Sequence, residues 1–135
     1  YVSDTGHRLV RMVSARSGVI TTIAGAGDSG LRDDDGVAIQ AHLTAPTGLA
    51  LVPSGSGLVL YVADQGSSRI RLVRPDGTIS TLTTGKQFIR PSRLAYHPGG
   101  WLIVKDASAD GLTAVRVRSR TPLELAVRAV PRGAR

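Results

Sequence analysis

Three carboxylates recur in one sequence context: Asp4, Asp64 and Asp106 each close a short apolar run, and Arg69 follows Asp64 by five residues. An aspartate at the end of a strand can act as a general base, ligate a metal ion or accept backbone N–H bonds in a turn. Repetition favours the last role, because a reaction needs its carboxylate once whereas a repeated fold needs its corner every time. Asp4, Gly6, Asp64, Gly66, Arg71 and Asp106 are therefore expected to form a structural motif, each Asp accepting from its own tight turn and an Arg pairing with it or packing over it. Repeated corners build one rim. The variable residues there, His7, Gln65, Ser67, Ser68 and Arg69, are the expected contacts to a partner, together with Asp64 and the acidic run Asp33, Asp34 and Asp35.

Other motifs propose chemistry that their surroundings do not support. Gly25-Ala26-Gly27-Asp28-Ser29-Gly30 has the glycine spacing of a pyrophosphate loop. However, no helix-forming stretch follows it, and no acidic residue stands about 20 positions on to hold a ribose. The overlapping Gly27-Asp28-Ser29-Gly30 has the order of a serine-nucleophile loop, but too little chain precedes it to place a base and a buried Asp. Both read as linker. In Asp33-Asp34-Asp35-Gly36 a calcium-loop register puts Leu31 and His42 at obligatory oxygen positions, so that site fails as well. His7, His42 and His97 are too scattered to form a metal set, and Trp101 beside Gly99-Gly100 is expected as a packing anchor. No catalytic residue, metal or cofactor is expected.

The elements that must position the corners repeat as well. Tyr1-Val2-Ser3-Asp4-Thr5-Gly6 aligns with Tyr61-Val62-Ala63-Asp64-Gln65-Gly66, and Leu102-Ile103-Val104-Lys105-Asp106 with Leu60 to Asp64. Ala45-Pro46-Thr47-Gly48-Leu49-Ala50 likewise aligns with Arg90-Pro91-Ser92-Arg93-Leu94-Ala95. The segments are short, β-branched and separated by turn chemistry, hence strands. The best copy predicts strand a over Thr47 to Val52, b over Leu58 to Asp64, c over Arg69 to Arg74 and d over Thr78 to Thr83. Pro75-Asp76-Gly77 turns c into d. Four-stranded antiparallel units recurring at roughly 40 to 60 residues imply an all-β chain, specifically β-propeller blades.

The expected organisation is a partial blade at 1–24 (strands b to d), a linker loop at 25–46, a complete blade at 47–84, a linker at 85–91, a divergent blade at 92–130 and a basic tail at 131–135. That makes about two and a half to three blades of an incomplete propeller, with eleven strands. The chain starts at Tyr1 without a leader-like stretch, so it is expected to be a fragment whose raw edges leave it marginal or self-associating.

Tyr61-Val62-Ala63-Asp64-Gln65-Gly66-Ser67-Ser68-Arg69-Ile70-Arg71-Leu72-Val73 resembles the hallmark of NHL repeats, an Asp-x-Gly followed by Arg-Ile-Arg. Gly18 to Gly25, Asp35-Gly36-Val37-Ala38 and Ala41 to Ala50 are similar to the long-linker type of that family. The resemblance covers about residues 1–106. It departs at Leu9, where the second copy has Arg69, and at the insertion Ala107 to Gly111. It implies an NHL-type β-propeller acting as a non-catalytic scaffold that binds protein or a small ligand through loops on one face. Two alternatives follow from relatives. One is a propeller lyase with channel histidines, for which His97 is the candidate; the other is RNA binding by a basic face.

Composition is compatible with these expectations. The 135 residues are 41% hydrophobic and 4% aromatic, with 16 Gly and no Cys, so disulfides and thiol chemistry are excluded. The apolar runs are too short for a helical membrane span of about 20 residues. Net charge is +7, concentrated from residue 116 onward, where Arg116, Arg118, Arg120, Arg128, Arg132 and Arg135 face Glu124 alone. No aromatic residue is interleaved with that cluster as a base-stacking groove requires, so nucleic acid is the weaker partner expectation. Charge reversal at Arg116, Arg118 and Arg120 separates the RNA alternative from protein binding.

Overall fold

The computed structural model describes residues 1–29, 36–55, 57–82, 87–117 and 127–130. Twelve strands run through them: β1 (Val2–Asp4), β2 (Leu9–Val13), β3 (Ile20–Ala24), β4 (Gly36–Val37), β5 (Pro46–Ser54), β6 (Gly57–Asp64), β7 (Arg69–Val73), β8 (Thr78–Thr81), β9 (Pro91–His97), β10 (Trp101–Asp106), β11 (Leu112–Arg116) and β12 (Val127–Val130). They form three antiparallel sheets, ordered β1-β2-β3, β4-β8-β7-β6-β5 and β12-β11-β10-β9. None of the sheets closes on itself. The chain is all-β with short one-turn 3-10 segments, and among the described residues no helix is long and apolar enough to cross a membrane.

The middle sheet shows why these residues choose strands. Leu60, Tyr61, Val62 and Ala63 are all buried, the signature of a strand covered on both faces. Leu60 and Val62 turn to the first sheet, joining Val10, Ala24, Leu43, Val73 and Ile79 in one core. Tyr61 turns to the third sheet and packs with Ile70, Phe88, Leu102, Val104 and Val115 in a second. The β7–β8 turn carries the chemistry expected of it. Pro75 presets φ, Gly77 sits at φ +81, and the Asp76 carboxylate accepts from the Thr78 N–H at 2.9 Å and hydroxyl at 2.7 Å. Those two Thr78 bonds hold the Asp76 carboxyl below the ordinary value.

The span 25–46, read as a linker loop, is tied down at both ends. Gly25 and Ala26 N–H donate to the Ala38 and Ala41 carbonyls, and β4 adds to the outer edge of β8 in the register Gly36↔Ile79. Backbone N–H groups leaving the first sheet need partners, and this segment supplies them while crossing to the second sheet. The middle sheet consequently has five strands, and the described strands number twelve rather than eleven. Gly25, read as part of a flexible loop, has φ +91 and lies so close to the Arg8 carbonyl that a Cβ would stand 2.4 Å from it. The last strand of the third sheet, expected from Leu123, is described over Val127–Val130, and the tail at 131–135 lies outside the described residues.

Candidate functional site

The corners of the first and second sheets follow the same backbone path. β1 and β6 end in Asp4 and Asp64, a 3-10 turn follows at Thr5–His7 and Gln65–Ser67, and Arg8 and Ser68 take left-handed φ of 59° and 61° before the next strand begins. Asp64 is fully buried. Its carboxylate accepts from the Thr44 N–H at 3.0 Å, the Ala45 N–H at 2.7 Å and the Ser67 hydroxyl at 2.7 Å. Asp106 repeats the arrangement, accepting from Ile89 N–H at 2.8 Å, Arg90 N–H at 3.1 Å, Ser108 N–H at 2.9 Å and the Ser108 hydroxyl at 2.5 Å.

The corner aspartates were expected to serve their own turns. Ser67 and Ser108 fit that reading, but the main donors come from 16 to 20 residues upstream. They are the two residues immediately before Pro46 and Pro91, where the edge strands β5 and β9 of the same sheets start. Proline has no N–H of its own, so the two amides ahead of it are the last donors before the strand ladder, and a buried carboxylate satisfies both. The repeated Ala45-Pro46 and Arg90-Pro91 were the sequence signal for these partners.

Asp4 differs. It is half-buried, and its oxygens meet the His7 Nδ1 at 2.7 Å and the Arg11 Nε at 3.3 Å. The His7 bond, then charge from His7 and contact with Arg11, hold its carboxyl below the ordinary value. Arg11 occupies the position of Arg71, so the arginine that reaches a corner carboxylate is not the Arg69 counterpart, which is Leu9. Arg71 itself is buried, and its Nη1 donates to the His42 carbonyl at 3.5 Å.

Of the expected rim contacts, Gln65 is half-buried, while His7, Ser68 and Arg69 are exposed beside the corners. Ser67 is committed to Asp64, and the Ser68 hydroxyl donates to the Ile89 carbonyl at 2.7 Å, joining the second corner to the chain that enters the third sheet. Asp33, Asp34 and Asp35 lie outside the described residues. Among the described residues no three of His, Cys, Asp and Glu come together. His97 accepts the Gly99 N–H on Nδ1 at 3.0 Å, and the Arg116 guanidinium lies 5.3 Å from the centre of the Trp101 ring.

Burial alone would raise Asp106, but its bonds from the Ser108 hydroxyl and from the Ser108, Ile89 and Arg90 amides outweigh it and leave the carboxyl below its ordinary 3.8. Its stabilisation is thus fully present above that value and is lost as pH falls through the lower folded-state value. Urea unfolding at pH 7 and pH 3 is expected to show a larger loss of stability in the parent than in Asp106→Asn. Equal losses would mean that this carboxylate is not linked to folding.

Compared with solved structures, the chain is similar to a structural-genomics protein of unknown function from Bacteroides thetaiotaomicron VPI-5482, at 19% identity and TM-score 0.69, covering 95% of this chain and 32% of that one. It is also similar to an auxiliary nutrient binding protein from the same organism, at 20% identity and TM-score 0.57, covering 73% of this chain and 29% of that one. The chain therefore spans about a third of the length of these proteins. At such identities the likeness is one of fold. No protein-family model and no curated protein matches the chain.

Proposed function

We propose that the three sheets are consecutive blades of an NHL-type β-propeller, with limits near 1–24, 47–84 and 92–130, and that the chain is a non-catalytic binding scaffold. The observation that carries this reading is the repeated corner. Asp64 and Asp106 are committed to holding incoming backbone, so the corners are rigid, and the side chains beside them differ from copy to copy. A rigid frame with variable exposed loops is the arrangement that binds. His7 and Gln65 are the proposed contacts, with Arg69 beside them, and the bound species is a protein or a small ligand. The fold likeness to an auxiliary nutrient binding protein supports the ligand arm.

The test is a thermal-shift screen of sugars, nucleosides, amino acids and short peptides, followed by hydrogen exchange on any compound that raises Tm. Protection is expected at 5–8 and 65–69, and Gln65→Ala or His7→Ala is expected to weaken binding by about tenfold. Protection confined to other strands overturns the rim as the binding face.

A further inference from the structure

The third corner departs from the other two by one residue and one charge. Four residues separate Asp4 from Leu9 and Asp64 from Arg69, whereas five, Ala107 to Gly111, separate Asp106 from Leu112. The position just before the corner aspartate is Ser3 in the first copy, Ala63 in the second and Lys105 in the third. The longer loop and the lysine occur together.

The shorter corners close through their own backbone. Arg8 and Ser68, both in the left-handed conformation, donate their N–H groups to the Thr5 and Gln65 carbonyls at 3.1 and 3.4 Å. In the third corner the Ala107 N–H goes to the Arg90 carbonyl at 2.8 Å, the Ser108 N–H to Asp106 Oδ1 at 2.9 Å and the Ala109 N–H to the Asp106 carbonyl at 3.3 Å. Gly111 then turns the chain at φ +89. These bonds use the loop's donors, and among the described residues no backbone N–H reaches the Ala109 or Gly111 carbonyl. Both oxygens accept instead from the Lys105 Nζ, the Gly111 oxygen at 3.4 Å. A primary ammonium suits the place, since it carries three donors on one compact centre.

The strand ladder gives no reason for a cation at this position. Lys105 stands directly opposite Arg93 on β9, and like charges so paired repel. What the lysine costs the ladder, the loop carbonyls offset.

We propose that the Ala109 and Gly111 carbonyls form a site for a primary ammonium group, filled from within the chain by Lys105, and that this occupancy fixes the position of residues 107–111. The loop presents four exposed residues, Ala107, Ser108, Ala109 and Asp110. It is tied through Arg90 and Ile89 to Ser68 of the second corner. Lys105 is therefore a positioning residue for the third part of the rim. Its consequence for binding rests on the rim reading, but the ammonium site does not, and it is tested with no rim ligand present.

The test is amide hydrogen exchange of the 135-residue chain, read at Ser108 and Ala109, with Val104 in the adjoining strand as reference. Lys105→Ala removes the equivalent of a propylammonium ion. It is expected to speed exchange at Ser108 and Ala109 by about tenfold and to leave Val104 and the urea midpoint unchanged, because relief from Arg93 offsets the lost bonds. Propylammonium chloride is expected to restore the parent rates saturably. Tetramethylammonium chloride, equal in charge but without an N–H, is expected to have no effect. Lys105→Met fills the space without a charge, so it is expected to loosen the loop equally and to resist rescue. The proposal is overturned if Lys105→Ala exchanges as the parent does, if propylammonium fails to restore it, if tetramethylammonium restores it equally, or if Lys105→Met is rescued as well. Faster exchange at Val104 with a lower urea midpoint would show that the lysine supports the sheet rather than the loop, and would overturn it too. A rim that binds no compound leaves all of these outcomes unchanged.

Discussion

Asp64→Ala is expected to lower the unfolding free energy by about 4 kcal/mol, because truncating it orphans two backbone donors at roughly 1–3 kcal/mol each and removes the Ser67 bond. The carboxylate has no exposed surface, and its bonds to Thr44 and Ala45 run at 2.7 to 3.2 Å. Losing them releases the segment that threads into β5, the strand lying between β1 and β9. The damage should therefore spread to both cores rather than remain at one corner. Asp64→Asn keeps one acceptor oxygen and is expected to cost about half as much. Urea unfolding with paired tryptophan and circular-dichroism signals checks both values. A loss under about 1 kcal/mol for Asp64→Ala would show that water replaces the carboxylate at these amides.

The contrast among Asp4, Asp64 and Asp106 also marks where sequence reading reached and where it stopped. The strands of the middle and third sheets were legible because alternation, β-branching and Pro-Gly turns are local signals, and β5 to β8 stand within a few residues of their expected limits. β4 was not. Two residues, Gly36 and Val37, carry no periodicity, and they become a strand only because the edge of β8 is there to pair with them. The corner aspartates were recognised as structural from their recurrence, but their partners were assigned to the nearest turn. A donor 19 or 20 residues away is fixed by the pairing of β5 with β6, in which Pro46 stands opposite Asp64, and not by the turn that follows the aspartate. For the same reason Gly6 and Gly66 look identical as letters, yet one faces open space and the other faces Thr44.

Gly48 makes the same point with a larger consequence, since nothing in Pro46-Thr47-Gly48-Leu49 marks it as different from an ordinary strand glycine. A Cβ there would stand 2.7 Å from Arg93 Cα, 2.8 Å from the Ser92 carbonyl oxygen and 2.9 Å from Leu94 N. All three atoms are backbone of β9, so no side chain can swing aside, and the methyl group of Gly48→Ala must push two strands apart. The strain falls on the interface of the second and third sheets, where Ala50, Val52, Tyr61, Phe88 and Leu102 pack. Overpacking against rigid neighbours costs typically 1–3 kcal/mol and more when backbone must move, so about 3 kcal/mol is expected. The reference is Gly6→Ala, expected to stay within about 0.5 kcal/mol. Hydrogen exchange should locate the effect, with protection falling in β5 and β9 and holding in β2 and β3, away from that interface. An unchanged midpoint for Gly48→Ala would mean that β5 and β9 separate freely, and with them the rigid frame on which the rim reading depends.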